Sequence, residues 1–588
     1  MPCFLLSERW GRSEVLSSLG FACCLTCLAG LQEHPTSSIQ QPLSVLGSTL
    51  IMLFLVYIVV TLMTAYAKDT NDKFYWGVAT AAYQIEGAVN HCGRGPSIWD
   101  SFTSLPGTIA NGDTGYMADD SYHHWREDIE LIQRMGLTAY RFSISWSRIL
   151  PNGNGNVNLR GIEYYNKIID RLVELDIEPF VTIYHWDLPQ ALEDRNEGWL
   201  NAQIVEDFVN YADVLFSNFG DRVRKWITVN EPWTFCFQGY VSGKFAPGRC
   251  SDRSTCSRGN SSSEGYIAAH NVLNAHAAVV DLYRREYQAS QKGMIGITVS
   301  MDWGEAYSDS VEDLKSAERW RQFVLGWFLD PIFFGKYPPA MVENVGDRLP
   351  TFNFAEAKRV KGSYDFIGLN HYSSKYTIDK AVPLSSDGWA DDVGVAESVY
   401  DSNGILIGPQ ADSPWLHVVP WGFYKLLKWV KHRYGNPLLY ITENGVDVPQ
   451  ESQLPFEKVI QDDFRIAYYS QYLKALDQAI FEGSDIRGYF AWSLLDNFEW
   501  ADGYSYRFGL HYVNYSDPSR GRYPKGSSRW YSQHVRSHAY EVSQVSKVSL
   551  SRRRNIDWGY NHDRNSSYKF VHVLGPGNPV FGAYGTGF

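Results

Sequence analysis

Short apolar runs alternate with longer amphipathic stretches through the middle of the chain, a pattern typical of parallel strands joined by crossover helices. Eight runs have strand character, at residues 74–82, 139–144, 180–185, 225–229, 294–299, 365–370, 438–442 and 488–493. Between them, apolar residues recur at i, i+3 and i+4, for example over residues 120–135, 161–175 and 202–218. Eight such strand–helix units predict an α/β fold, a single (β/α)8 barrel with extended loops, and argue against an open sheet.

A barrel of this type carries its chemistry on the loops that follow the C-terminal ends of its strands. Polar and aromatic side chains that can bind hydroxyl groups or stack on flat faces recur at these points of the predicted repeat. They are Trp146, His185, Asn230, Glu231, Asn370, Tyr372, Glu443, Asn444, Trp492, Glu499 and Trp500. We therefore expect the functional site at this mouth of the barrel.

The chain begins with a segment unlike the rest. Residues 45–67 carry no charge, and residues 51–63 are apolar enough to enter a bilayer. They end in Ala65-Tyr66-Ala67, a small-x-small pattern typical of a signal-peptidase site. The sequence predicts a leader over residues 1–67. It is read as a cleaved signal peptide, which places the protein in the secretory pathway (extracellular, vacuolar or in the endoplasmic reticulum). Two alternatives stay open: a membrane anchor through residues 45–67, and a true start at Met52.

The other end of the chain also changes character. From residue 538 onwards the sequence is rich in Ser, Arg, Asn and Gly, and no hydrophobic period of 2 or 3.6 residues is sustained. We predict an irregular tail over residues 538–588. A single barrel domain is then expected over residues 68–537.

Composition narrows the class of protein. Hydrophobic residues make up 44% and charged residues 20% of the chain, which is the balance of a globular protein and excludes wholesale disorder. The formal net charge is −12, and the compact basic cluster at residues 552–554 is too short for the basic surface that nucleic acids require. Nucleic acid is therefore not an expected partner. The aromatic share of 15%, with 20 Trp, exceeds ordinary core filling and suits stacking on sugar rings.

The eight cysteines do not form the closely spaced Cys/His doublets of a zinc site, so neither a metal nor a cofactor is indicated. Cys250 and Cys256 bracket a short polar loop and would form a disulfide if the protein passes through an oxidising compartment. Sequons for N-glycosylation at Asn260, Asn514 and Asn565 are consistent with that route and with a glycoprotein.

Two carboxylates stand out by their surroundings. Residues 228–232, around Glu231, and residues 441–445, around Glu443, resemble the two catalytic segments of glycoside hydrolase family 1, the family of plant β-glucosidases. The resemblance runs in order from about residue 70 to residue 537. It continues in residues 74–87, 141–148, 184–189, 365–370 and 491–500.

The resemblance implies a retaining β-glycosidase that releases unphosphorylated β-D-glucose from O-linked glucosides, with a small-molecule β-glycoside as partner and no cofactor. Such chemistry needs one carboxylic acid to protonate the leaving oxygen and one carboxylate to attack the anomeric carbon. Glu231 is the expected acid/base and Glu443 the expected nucleophile. The apolar flank of Pro232 and Trp233, together with the nearby second carboxylate, is expected to raise the pKa of Glu231.

Further roles are implied residue by residue. Arg141 and Tyr372 are expected to keep the nucleophile ionised, because a cation and a phenol hydrogen bond both favour a carboxylate. Trp415 is expected to stack on the leaving group. The sugar is expected to be bound by Gln84, His185, Asn230, Trp492, Glu499 and Trp500.

Some alternatives can be weighed on the residues. Relatives that cleave thioglycosides lack the acid/base glutamate, whereas Glu231 is present; relatives that act on 6-phosphosugars carry small and basic residues where this chain has Glu499 and Trp500. His371 and Gly265 depart from the commoner family pattern, and neither has an expected chemical role. A transglycosidase that uses the same residues stays open, as does a catalytically silent sugar-binding or membrane-tethered barrel. The oligomeric state, the natural leaving group and the exact sugar preference do not follow from the sequence.

Overall fold

The computed structural model describes residues 73–383 and 388–545. Eight parallel strands form a closed barrel in which each strand pairs with its neighbours in chain order and the last pairs with the first. The strands are β1 (Tyr75–Ala79), β2 (Ala139–Ser143), β3 (Glu178–Tyr184), β4 (Lys225–Asn230), β5 (Met294–Ser300), β6 (Phe366–Asn370), β7 (Leu439–Asn444) and β8 (Ile486–Trp492). The predicted fold is confirmed.

The barrel strands are buried on both faces. One face packs against the surrounding helices, and the other fills the interior, where aromatic rings from different strands meet. The ring of Phe180 lies 4.7 Å from that of Phe490 and 5.1 Å from that of Tyr440, centroid to centroid. Closure pairs Tyr75 of β1 with Gly488 of β8.

Helices surround the barrel. Their bounds are Ala82–Ile85, Ile98–Thr103, Ser121–Met135, Trp146–Ile149, Leu159–Glu174, Gln190–Asn196, Ile204–Phe219, Pro232–Tyr240, Glu264–Leu282, Gln288–Gln291, Val311–Arg321, Trp327–Phe334, Pro339–Val345, Phe354–Val360, Trp389–Asp392, Pro420–Tyr434, Phe456–Val459, Asp463–Phe481 and Gly526–Val545. The three helices predicted over residues 120–135, 161–175 and 202–218 are present with shifted ends. In Leu159–Glu174 the buried residues Ile162, Tyr165, Ile169 and Leu172 recur at three and four positions, which gives the helix one apolar face.

Two small sheets extend the loops. A three-stranded sheet joins Trp303–Ala306, Ser374–Asp379 and Val395–Ser398, and a hairpin pairs His511–Val513 with Arg522–Pro524. The three-stranded sheet stands beyond the C-terminal ends of β5 and β6. It therefore builds up one wall of the barrel mouth.

The structure describes part of the C-terminal region but not the predicted leader. The leader predicted over residues 1–67 and the tail beyond residue 545 lie outside the described residues. The last helix, Gly526–Val545, buries Tyr531 and Val535, and the Tyr531 hydroxyl donates to the Gly77 carbonyl at 3.1 Å. The boundary predicted at residue 537 therefore falls inside a helix, because a helix anchored by its first turns can propagate by its own hydrogen bonds without an apolar period.

Two kinds of feature are absent from residues 73–383 and 388–545. No helix there has both the length and the hydropathy to cross a bilayer. No group of three or more His, Cys, Asp and Glu side chains there could hold a metal ion.

Candidate active site

Glu231 stands at the exit of β4, where the chain turns sharply into the helix Pro232–Tyr240. Its backbone adopts φ 45° and ψ 64°, a left-handed conformation that non-glycine residues seldom adopt, and Pro232 starts the helix at once. Such strain persists where the surrounding structure holds it, and it is found preferentially at functional sites. Here it turns the Glu231 side chain into the barrel mouth, where only 7% of the residue is exposed.

The Glu231 carboxyl has two polar neighbours. Asn370 Nδ2 donates to its Oε1 at 2.6 Å, and the Thr234 hydroxyl donates to its Oε2 at 2.7 Å. Burial, and after it the charge of Glu443, raise the pKa of Glu231 to about 7, while the two hydrogen bonds and Arg141 oppose this rise. The carboxyl is therefore poised to donate or accept a proton near neutral pH, as expected from the sequence.

Glu443 lies within β7 and meets a different environment. Arg141 Nη1 forms an ion pair with its Oε1, and the Tyr372 hydroxyl donates to its Oε2 at 2.7 Å. Burial, and after it the Glu443 charge, raise the pKa of the Tyr372 phenol well above its usual range, so the phenol keeps its proton and remains a donor. Both predicted neighbours therefore contact Glu443, Arg141 as a cation and Tyr372 as a hydrogen-bond donor.

Gly445 permits the close packing of β7 against β8 just beyond the nucleophile candidate. A Cβ at this position would come within 1.9 Å of the Trp492 carbonyl oxygen. Only glycine allows this approach. The spacing of Glu443 and Gly445 in the sequence thus has a direct steric reason.

Arg141 also organises the pocket beside the two carboxyls. Its Nη2 donates to Asn230 Oδ1 at 2.6 Å, so the Asn230 amide nitrogen faces His185 Nε2, 3.0 Å away. Burial, and after it Arg141, hold the pKa of His185 well below its usual range. A neutral ring that accepts at Nε2 carries its proton on Nδ1. His185 therefore presents an N–H donor.

Three predicted sugar-binding residues keep a buried polar atom without a hydrogen-bond partner within the described chain: Gln84 Oε1, His185 Nδ1 and Glu499 Oε2. Gln84 is oriented by its amide nitrogen, which donates to Asn497 Oδ1 and to the Phe498 carbonyl, each at 2.9 Å. Burial, and after it Asp502, raise the pKa of Glu499 well above its usual range. Buried polar atoms without partners are costly, and hydroxyl groups of a ligand would satisfy them.

Aromatic rings line the same region. The His185 ring lies nearly parallel to the rings of Trp492 and Trp500, with centroids 6.1 Å and 5.9 Å away and interplanar angles of 19° and 14°. Trp186 packs on Trp500 at 4.4 Å and donates from Nε1 to the Asn230 carbonyl at 2.8 Å. The pocket therefore combines flat apolar walls with a few directed polar groups, as sugar sites do.

Trp415 stands farther out. It is 45% exposed, and its ring meets the Tyr372 ring edge-on, with centroids 6.0 Å apart. Cys250 and Cys256 are joined by a disulfide in the loop between the helices Pro232–Tyr240 and Glu264–Leu282. The predicted disulfide thus joins two positions of this loop that are 6 residues apart.

Asn370 was expected at the barrel mouth without a chemical role and Thr234 was not expected there, yet both contact Glu231. Asn370 had one usable signal, since it ends a barrel strand at the same phase of the repeat as Glu231. Thr234 had no such signal. It faces Glu231 because residue 234 follows one helical turn after residue 231.

Comparison with known proteins agrees with this geometry. The model of the family described as glycosyl hydrolase family 1 matches residues 66–540. Beta-glucosidase 24 of Oryza sativa subsp. japonica is 51% identical over 464 residues, which cover 78% of this chain and 92% of that protein.

Solved structures give the same result. A substituted form of the rice Os3BGlu6 β-glucosidase, in a covalent complex with Glc, superposes with a TM-score of 0.77 at 48% identity and covers 78% of this chain and 97% of its own. A β-glucosidase of the fungus Humicola insolens, in complex with glucose, has a TM-score of 0.77 at 46% identity, with coverages of 79% and 98%. This chain therefore belongs to glycosyl hydrolase family 1.

Proposed function

We propose that the protein is a retaining β-glucosidase that hydrolyses O-linked β-glucosides to unphosphorylated β-D-glucose. One observation carries the proposal: two buried carboxyls at the same mouth of the barrel have different surroundings. Glu231 has a pKa of about 7, and Glu443 is bound by a guanidinium and a phenol. Carboxyl pairs whose environments separate their protonation states supply the acid and the nucleophile of glycoside hydrolysis.

In the first step, the Glu443 carboxylate attacks the anomeric carbon as the bond to the leaving oxygen breaks. Glu231 delivers its proton to that oxygen, so an alcohol departs and a neutral glycosyl ester forms on Glu443. The rice relative captured in a covalent complex with Glc supports an intermediate of this type. Arg141 and Tyr372 stabilise the carboxylate that must attack.

In the second step, the ionised Glu231 takes a proton from water, and the resulting hydroxide oxygen replaces Glu443 at the anomeric carbon. The charge of Glu443 raises the pKa of Glu231 in the free enzyme. An ester on Glu443 carries no charge, so this contribution vanishes in the intermediate and the pKa of Glu231 falls. The same group therefore serves as acid first and as base afterwards.

The glucosyl unit is proposed to lie among Gln84, His185, Asn230, Trp492, Glu499 and Trp500. Gln84, His185 and Glu499 offer both donors and acceptors to hydroxyl groups, and the tryptophans offer flat faces. A phosphate would bring further negative charge into a pocket that already holds three carboxyls, while the Arg141 guanidinium is committed to Glu443 and Asn230. An unphosphorylated sugar is therefore favoured.

The test is product analysis. Proton NMR of the first turnovers on 4-nitrophenyl β-D-glucoside should give β-glucose before mutarotation, and α-glucose as the first product would overturn the retaining mechanism. A panel of β-glucoside, β-galactoside, β-fucoside, β-mannoside and 6-phospho-β-glucoside then ranks the sugars. Added alcohols that yield alkyl glucosides in place of glucose would identify a transglycosidase. No turnover of any substrate would identify a silent binding protein.

We also propose that the chain follows the secretory route, with residues 1–67 as a leader, a catalytic domain from residue 68 through the helix Gly526–Val545, and the rest as a tail. The Cys250–Cys256 disulfide supports this, because disulfides persist in oxidising compartments. The exposed side chain of Asn260 leaves room for a glycan.

N-terminal sequencing of the purified protein tests the leader. A mature chain that keeps residues 45–67 would identify the anchor, and free thiols at Cys250 and Cys256 would contradict the route.

A further inference from the structure

The exposed Trp415 is carried by a tight turn at the barrel mouth. Two backbone hydrogen bonds close the turn: Ala411 N donates to the Leu416 carbonyl at 3.0 Å, and Leu416 N donates to the Ser413 carbonyl at 3.3 Å. Ser413 and Leu416 are fully buried, whereas Trp415 projects between them. The position of the Trp415 ring therefore depends on what holds the buried base of this turn.

Asp447 holds the base from the loop that follows β7. Its Oδ2 accepts from Ser413 N at 2.6 Å, and its Oδ1 accepts from the Ser413 hydroxyl at 2.9 Å. Asp447 is 1% exposed and Ser413 is 0% exposed, so both bonds are shielded from water. Hydrogen bonds from neutral donors to a carboxylate are among the stronger ones in proteins.

Asp447 is itself attached to the strand of the nucleophile. Only three residues separate it from Glu443, and the buried Arg465 donates from Nε to the carbonyl of the intervening Val446 at 2.9 Å. The loop that carries Asp447 is thus itself held by a buried side chain. It provides a fixed attachment point for the turn.

A second set of contacts keeps the turn from swinging about the Asp447 attachment. Gln450 N donates to Asp412 Oδ1 at 2.9 Å, which adds one bond from the loop after β7. On the opposite side, His417 N donates to the Ser373 hydroxyl at 2.8 Å, and that hydroxyl donates to the His417 carbonyl at 3.2 Å. The turn is therefore held by hydrogen bonds to two loops, the one after β6 and the one after β7.

The Trp415 ring contacts one residue next to the proposed nucleophile. Trp415 meets Tyr372 edge-on, and the Tyr372 hydroxyl binds Glu443. The exposed, flat indole of Trp415 is therefore separated from Glu443 by a single residue, Tyr372.

We propose that Asp447 is a positioning residue for the leaving-group side of the site: through Ser413 it fixes the turn that presents Trp415, and so selects glucosides with flat, apolar leaving groups. The proposal rests on the proposed function. Within the described residues, both side-chain hydrogen bonds of Asp447 go to Ser413 and neither goes to Glu231 or Glu443. Its effect is therefore expected on bulky aromatic leaving groups and not on small ones.

The test compares two substrates in the Asp447→Ala variant. Alanine accepts neither Ser413 bond, whereas asparagine could keep both contacts, with its oxygen toward the Ser413 N–H and its NH2 group toward the Ser413 hydroxyl. For 2-naphthyl β-D-glucoside, kcat/KM should fall at least about tenfold, mainly through KM, since one lost aromatic stacking contact has that magnitude. For β-D-glucosyl fluoride, kcat/KM should stay within about twofold of the wild type. Equal losses on both substrates, or no loss on either, would overturn the proposal.

Three further variants make the result specific. Ser413→Ala removes one bond without touching the carboxylate and should show the same substrate pattern more weakly, which also serves if Asp447→Ala folds poorly. Asp401→Ala is the matched control, because Asp401 accepts two backbone N–H bonds in an exposed turn; the rates on both substrates should be unchanged in it. Combining Asp447→Ala with Trp415→Ala should be no worse on the naphthyl glucoside than Trp415→Ala alone. An additive double variant would show that Asp447 acts by another route.

A binding measurement separates this proposal from the proposed function. A wild type that cleaves neither substrate would refute the hydrolase assignment. The dissociation constant of 2-naphthyl 1-thio-β-D-glucoside, followed by tryptophan fluorescence, would still report on the turn. It should rise at least about tenfold in Asp447→Ala and stay unchanged in Asp401→Ala. Equal affinities for wild type and Asp447→Ala would refute the positioning role alone.

Discussion

Asn370 donates from Nδ2 to Glu231 Oε1 at 2.6 Å, and its own amide oxygen accepts from the Thr442 hydroxyl, also at 2.6 Å. Thr442 precedes Glu443 in β7. The amide is thereby oriented from the strand of one carboxyl toward the other carboxyl. Because Glu231 Oε1 faces an N–H donor, it acts as the carbonyl oxygen of the neutral acid. The acidic proton is then expected on Oε2.

This contact predicts the pH dependence of an Asn370→Ala variant. With the wild type, kcat/KM for an alkyl β-glucoside should fall as pH rises through about 7, because protonated Glu231 is the required acid. The Asn370 bond lowers the pKa of Glu231. Its removal should therefore move the alkaline limb upward by about one pH unit, alongside a lower maximal rate.

A second variant, Thr234→Val, tests the same explanation independently. It removes the other hydrogen bond that lowers the pKa of Glu231. Its alkaline limb should move in the same direction. Profiles of kcat/KM against pH check both variants. A limb that moves toward acid pH in either variant would mean that the bond favours the protonated acid, contrary to the assignment.

The raised pKa of Glu231 also predicts that this residue destabilises the free protein. Its folded pKa of about 7 lies above the ordinary glutamate value of 4.5, so the folded state binds more protons between these two values. Stability must then fall as pH rises from about 4.5 to 7, and the full loss is present above pH 7. Burial of an ionised carboxyl is the cause.

Glu231→Gln should therefore be more stable than the wild type at pH 8, by up to roughly 3 kcal/mol, and nearly equal to it at pH 4. Glutamine keeps the shape of the neutral acid, with an oxygen for Asn370 and an NH2 group for the Thr234 hydroxyl. Urea unfolding at both pH values measures the difference. A Gln variant that is less stable at pH 8 would contradict the linkage.

The fold could be predicted from the sequence because each barrel strand is a short apolar run between amphipathic segments. The ends of the runs were less certain. Residues 74–82 form one apolar run, yet β1 ends at Ala79 and Ala82–Ile85 forms a helical turn, because a buried loop at the barrel mouth is as apolar as a strand. The two small sheets that extend the loops were not predicted either. Their strands are short, and their pairing depends on contacts distant in sequence.

The sequence likewise predicts some features of the site and not others. The residue types around Glu231 and Glu443 followed from motifs that resemble a known family. The bond from Asn370 to Glu231 did not, because it requires the ends of β4 and β6 to stand level across the intervening β5. The left-handed backbone conformation of Glu231 could not be predicted from the sequence either, since glutamate shows no preference for it. Contacts set by strand register and local strain need coordinates.

The last prediction assigns separate roles to the two glutamates. Replacement of Glu443 by Gly removes the nucleophile, so no glycosyl ester can form and turnover of every β-glucoside should collapse, by at least about 10⁴-fold. Azide or formate can occupy the vacated volume and attack from the same face. Turnover of an activated substrate such as 2,4-dinitrophenyl β-glucoside should then return, with α-glucosyl azide as the product when azide is used.

Glu231→Ala should behave differently, because it leaves the nucleophile in place. The first step should remain fast for a 2,4-dinitrophenyl leaving group, which needs no proton, and should nearly vanish for an alkyl leaving group, which does. Azide should accelerate the second step and give β-glucosyl azide, since it attacks the ester from the face that water uses. Pre-steady-state bursts and NMR of the azide products separate the two variants. The roles would have to be exchanged if Glu231→Ala gave the α-azide, and abandoned if Glu443→Gly kept ordinary turnover.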